Sequence, residues 1–181
     1  MKKEVIFNDI MIDIETMGNG SNSAIVSIGA VKFDMTSGET GDTFYQKVDL
    51  QSCIDIGLTV KASTIMWWLD QNEEARKELT KGEHVSITYA LNLFSDYCNT
   101  KNLIWGNSPR FDLGIMHDAY RAIKKEIPWN FRNERDVRTL VGFEPDIKQN
   151  YVYKGYAHNA LDDCYNQIEY CNLTYKKIRN L

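Results

Sequence analysis

The chain reads as an α/β protein: a mixed five-stranded sheet, opened by a three-strand antiparallel meander, with helices on both faces. Two observations carry this expectation. Three apolar, turn-bounded runs follow one another in the first 50 residues, and beyond them segments with helical spacing alternate with short apolar runs. At 181 residues the length suits one domain with a sizeable core.

The first strand is expected in Asn8 to Thr16, ended by Gly18, with a Gly-, Asn- and Ser-rich turn over Asn19 to Asn22. Ala24 to Phe33 is strongly apolar and reads as the second strand. Asp34 to Asp42, with Gly38 and Gly41, reads as the hairpin connection into a third strand over Thr43 to Leu50. A loop through Gly57 follows. Ser63 or Thr64 is then expected to cap a helix that turns Ile65, Trp68 and Leu69 inward. Asn72 caps another, with Glu73 and Glu74 in its first turn and Arg76 and Lys77 beyond, the order the helix dipole prefers.

Ser86 opens a longer helix with Ile87, Leu91, Phe94 and Cys98 on one face. Asn102 to Asn107 reads as a short buried strand. Phe111 to Lys125 reads as a helix with Ile115, Ala119 and Ile123 inward, stopped by Pro128. Trp129 to Phe131 is expected as a brief fifth strand, Asp136 to Val141 as a short helix, and Asp146 to Gly155 as an irregular loop. A closing helix runs from Asn159 to Ile178 with Ala160, Cys164, Ile168, Cys171 and Tyr175 on one face.

Composition narrows the class. No apolar run reaches the length of a membrane span, and Met1 to Phe7 lacks a secretory leader's apolar core, so a cytoplasmic protein without membrane attachment is expected. Cys53, Cys98, Cys164 and Cys171 are widely spaced and form no Cys-x-x-Cys pair, which favours reduced, buried thiols. The net charge of −4 argues against coating long duplexes, yet an enzyme gripping only a strand end needs few phosphate contacts.

The chemistry gathers at three places. Asp13 and Glu15 lie two apart on a strand and so aim both carboxylates to one face, a repulsive arrangement that a hard divalent cation relieves. Asp112 follows a strand-to-helix junction in Trp105 to Asp112, where free backbone donors suit ligand binding. His158 and Asp163 lie five apart. On one helix they would diverge by about 140°, so they converge only if His158 precedes the helix and Asp163 sits within its first turn.

Asp13-Ile14-Glu15-Thr16, then Asn107 with Phe111-Asp112, then His158-Asn159-Ala160-Leu161-Asp162-Asp163 together resemble, in order and spacing, the three motifs of the DEDDh 3′–5′ exonucleases. The resemblance spans nearly the whole chain. It comes nearest to a phage-type and bacterial branch of exodeoxyribonucleases and exoribonucleases, through Thr64 to Leu69, Pro128 to Phe131 and Arg135 to Leu140.

That resemblance implies a ribonuclease-H-like fold and two Mg²⁺ or Mn²⁺ ions held by Asp13, Glu15, Asp112 and Asp163, with His158 as general base. It implies single-stranded DNA or RNA 3′ ends as partners, DNA slightly favoured, and nucleoside 5′-monophosphates as products. It sets Thr16 and Met17 against the terminal nucleotide, Met17 as a wedge beside the last base. Asn107 is expected to bond substrate or orient its loop, and Trp67 to offer a stacking face if Trp68 is core. Arg135, Arg138, Lys148 and Lys154 are candidates for phosphates. Asp162 is assigned to solvent or a supporting bond, and Asp9 and Asp136 to structure.

Other readings stay open: an exoribonuclease of the same fold, a non-catalytic module that binds strand ends, and self-association into a homo-oligomer. A mononuclear iron oxygenase fits poorly, because His84 and His117, both placed on expected helices, have no ligand spacing to His158.

Overall fold

The computed structural model describes residues 7–180. Most of the Met1 to Phe7 stretch considered as a leader therefore lies outside the described residues. Three antiparallel strands come first: β1 (Asp9–Thr16), β2 (Ile25–Phe33) and β3 (Thr40–Lys47). β4 (Leu103–Gly106) adds parallel to β1 on its other side, and β5 (Glu134–Asp136) adds parallel to β4. The order across the sheet is β3-β2-β1-β4-β5.

Eight α-helices are described: α1 (Leu50–Asp55), α2 (Ala62–Leu69), α3 (Glu73–Thr80), α4 (Ile87–Tyr97), α5 (Asp112–Ala122), α6 (Val137–Val141), α7 (Pro145–Gln149) and α8 (Ala160–Arg179). Strand alternation distributes them. Ile10, Ile12 and Ile14 of β1 enter one core with Trp68, Leu91, Phe94, Leu113 and Met116 from α2, α4 and α5. Met11, of opposite parity, joins Val31, Phe33, Val137, Cys164, Ile168 and Cys171 in a second core under α6 and α8. Asp13 and Glu15 share the parity of Met11, so their side chains belong to the α8 side of the sheet. All four cysteines are buried and free. Among the described residues, no helix is long and apolar enough to cross a membrane.

Several local expectations are corrected. The fifth strand is Glu134–Asp136, not Trp129 to Phe131: Trp129 is buried in the first core, and the Asn130 side chain caps a 3-10 turn by accepting from the Arg132 N–H. The third strand starts and ends three residues earlier than expected, which frees Asp49 to cap α1 in what was read as loop. α2 begins before Ser63, at Ala62, and Lys61 at its cap position makes no side-chain cap bond. Ile65 and Leu69 are exposed on α2, leaving Trp68 as its inward residue. α7 interrupts the expected Asp146 to Gly155 loop, with Pro145 in its first turn. His84 lies in the connection between α3 and α4 rather than on a helix.

Candidate active site

The carboxyl ends of β1 and β4, where an antiparallel and a parallel neighbour flank β1, frame the site, the usual place for ligands in open α/β sheets. Asp13 and Glu15 project from the end of β1, next to a bulge between Glu15 and Thr16. β4 stops at Gly106, and the chain then passes through Asn107 and Ser108 into α5, whose first residue is Asp112. Gly106 has a steric reason to be glycine: a Cβ there would lie 3.2 Å from the Asp112 Cβ.

α8 supplies the third wall. Its start is fixed by Asn159, whose side chain accepts from the Leu161 and Asp162 N–H groups. His158 precedes the helix with φ of +67°, a left-handed conformation that non-glycine residues adopt infrequently. Asp163 follows within the first turn, so the geometry needed for His158 and Asp163 to converge is present.

One cavity of about 360 Å³ is lined by Asp13, Glu15, Asn107, Asp112, Arg138, His158, Asp163 and Gln167, with Ile14, Ser108 and Phe111. Carboxylate oxygens of Asp13, Glu15 and Asp163 all lie within 4.8 Å of one another. An oxygen-only set this tight fits a hard divalent cation, and without one it is repulsive. Asp13 records that repulsion. Burial, then the charges of Asp112, Glu15 and Asp163, push the Asp13 carboxyl well above the ordinary aspartate range, against a hydrogen bond from Gln167. Burial pushes Asp112, only 3 % exposed, up to about 6, although its Oδ2 accepts from the Ser108 N–H. Burial raises Asp163 as well, opposed by a bond from the Tyr153 hydroxyl to its Oδ1 (3.0 Å) and by the neighbouring His158.

The His158 ring is walled by two indoles, its centroid 4.8 Å from that of Trp67 and 6.1 Å from that of Trp68, both edge-on. Trp68 is 2 % exposed and donates to the Thr16 carbonyl, so it is the core member of the pair. Trp67 is 42 % exposed. Together with Glu15, Thr16, Ser63, Thr64 and Phe111 it lines an adjoining cavity of about 350 Å³. Asn107 has its Oδ1 buried without a partner.

Met17 is placed elsewhere. It is 8 % exposed and packs in the first core, lining neither cavity. Of the four basic candidates, only Arg138 lines the cavity of the acids. Arg135 donates to backbone carbonyls of Arg132 and Glu134, Lys148 covers the Tyr170 ring, and Lys154 pairs with Glu169. Asp9 accepts from the Trp105 indole at the opposite end of β1, and Asp136 caps α6. His117 pairs with Glu134. A cavity of about 710 Å³, larger than either of these two, lies by His117, Arg121, Lys124 and Trp129 and shares no residue with the acidic cluster.

Three contributors were not foreseen, and a fourth, Asp162, makes the supporting bond that was one of its two expected roles. Gln167 donates from Nε2 to Asp13 Oδ1 (2.7 Å), and Tyr153 holds Asp163. Asp162 accepts from the Tyr156 N–H. The buried Asn166 amide exchanges two bonds with the Lys154 backbone, so it and Asp162 tie down the segment that leads to His158. For Gln167 and Asn166 a signal existed, since residues three and four beyond Asp163 share its helix face. Nothing in the sequence marks Tyr153.

Residues 8–175 match the model of the Rv2179c-like 3′–5′ exoribonuclease domain. The chain belongs to that family. Members of the Rv2179c-like family are 3′–5′ exonucleases, and with its DEDDh motifs this chain is one too. It is 31% identical to the exodeoxyribonuclease of Enterobacteria phage T4 over 196 residues, 88% of this chain and 86% of that protein. Among solved structures, E. coli exonuclease I in complex with a dA16 oligonucleotide superposes with a TM-score of 0.69 at 17% identity, covering 95% of this chain but 41% of that one. The nuclease domain of 3′hExo, a DEDDh family member bound to rAMP, gives 0.61 at 16% identity, with 93% and 92% covered. These structural likenesses establish the ribonuclease-H-like fold of this Rv2179c-like chain.

Proposed function

We propose that the protein uses two divalent cations, Mg²⁺ or Mn²⁺, to remove nucleoside 5′-monophosphates from the 3′ end of single-stranded nucleic acid, DNA in preference to RNA. The observation that carries this reading is the convergence of Asp13, Glu15 and Asp163 oxygens within 4.8 Å, in one cavity with Asp112 and His158. Asp13 would bridge the two ions, Glu15 and Asp163 would hold the one on the side of the attacking water, and Asp112 the one beside the leaving oxygen. Bound there, a cation pair supplies hydroxide at neutral pH and offsets charge on the departing 3′ oxygen.

The protein's own groups do the rest. His158 takes the proton of the attacking water as an oxygen–phosphorus bond forms, and the bond from phosphorus to the 3′ oxygen breaks, leaving that oxygen on the shortened strand. Trp67 and Trp68 fix the imidazole plane. The cavity lined by Thr16, Thr64, Trp67 and Phe111 adjoins the acids and is the place for the terminal nucleoside. Asn107 and Arg138 line the phosphate side. The buried thiols support a reducing, cytoplasmic setting.

The name of the T4 relative, an exodeoxyribonuclease, supports the DNA reading. The second reading, RNA as substrate, is favoured by the family description, which names exoribonucleases. Matched 5′-labelled single-stranded DNA and RNA, incubated with Mg²⁺, Mn²⁺ or chelator, separate the two. Stepwise shortening only with metal, faster on DNA, is expected. Faster shortening of RNA would transfer the assignment to the second reading, and binding without shortening would remove the hydrolytic one.

A further inference from the structure

The Gln167 side chain is used at one end only. Its Nε2 donates to Asp13 Oδ1 at 2.7 Å, while its Oε1 is buried without any hydrogen-bond partner, in a residue 4 % exposed that lines the cavity of the acids. A buried acceptor left unmade is costly, and the great majority in folded proteins are satisfied. The orientation of the amide is not arbitrary, since the reversed one would set Oε1 against a carboxylate oxygen. The helix fixes the location as well: Gln167 stands four residues beyond Asp163 and so on the same face of α8.

We infer that Gln167 is a positioning residue for the cation site: its N–H holds the Asp13 carboxylate in the orientation that a bridging ligand needs, and its Oε1 accepts a hydrogen bond from water that arrives with the cation. The inference rests on the cation site proposed above. Groups that orient metal ligands from behind commonly govern metal affinity by 10- to 100-fold. In the metal-free protein the same amide adds little, because the bond to Asp13 and the unsatisfied Oε1 act in opposite directions.

The test compares Gln167→Met and Gln167→Leu, apolar replacements of similar bulk, with the wild type. Thermal melting is followed in chelator and across a Mn²⁺ titration, alongside calorimetric Mn²⁺ binding. The expected result is an unchanged melting temperature in chelator together with Mn²⁺ affinity weakened by roughly 10- to 100-fold, so that the Mn²⁺-induced rise in melting temperature shrinks. Mn²⁺ affinity within twofold of wild type would overturn the inference. Collapse of both variants in chelator would also overturn it, since the residue would then serve the fold. A wild-type protein that binds no Mn²⁺ would instead refute the cation site itself, so the two failures are distinguishable.

Discussion

Asp112 must carry charge to serve a cation, yet it sits where burial favours its neutral form, and its acid is pushed up to about 6. The sign of the effect on stability follows. An unfolded aspartate ionises near pH 4, so between about 4 and 6 the folded chain keeps a proton that the unfolded chain has released. Stability contributed in this way is present below that window and is lost as pH rises through it. Melts of the protein in chelator are expected to fall across this range more steeply than those of Asp112→Asn, and saturating Mn²⁺ should remove the difference. Parallel slopes in chelator would refute the assignment. Catalytic roles separate differently. Asp163→Asn should lower turnover by about 10³-fold or more, the scale of losing charge stabilisation at a reacting centre. His158→Ala should keep Mn²⁺ binding, lose turnover at neutral pH and regain part of it as hydroxide rises. A pH-independent loss would make His158 structural.

Among the elements, α8 depends on a glycine opposite the catalytic strand. Gly29 of β2 is the register partner of Asp13, and a Cβ there would come within 2.5 Å of the Ala160 carbonyl carbon and 2.7 Å of the Leu161 nitrogen. Cys164, whose thiol points to the Met11 and Gly29 carbonyls, shows how flush the helix lies on the two strands. Gly29→Ala is expected to lift the start of α8, costing about 1–3 kcal/mol as overpacking does, and to reduce turnover by moving Asp163. Urea unfolding measures the first effect, and unchanged stability would refute the close approach. What could be read beforehand follows the same physics. Parity set Asp13 and Glu15 on one face, helical angle forced His158 out of α8, and long apolar runs marked β1 and β2. β5 has three residues and no period of its own; β4 chooses it by pairing, and Asn130 diverts the more apolar Trp129 to Phe131 stretch into a turn. Met17 stands two residues beyond Glu15, but past the bulge after Glu15 it turns into the opposite core, which no adjacency in sequence reveals.

For the molecule as a whole, the charge distribution bounds how it can hold a strand. The net charge is −4, the cavity of the acids is acidic, and Arg138 is the one arginine or lysine among its lining residues. Of the other basic residues singled out in the sequence, Arg135, Lys148 and Lys154 are engaged elsewhere. On the proposed two-cation reading, affinity comes from the terminal nucleoside, from cations shared between acids and phosphate, and from few direct phosphate contacts. Each phosphate neutralised on a single strand contributes about −0.7 to the slope of log affinity against log salt. With one to three such contacts, the slope should be shallower than about −2. Anisotropy of a 5′-labelled oligonucleotide bound to Asp163→Asn, titrated across salt at constant Mn²⁺, reads that slope directly. A value steeper than about −4 would demand a basic path along the strand, and would contradict an enzyme that grips only the 3′ end.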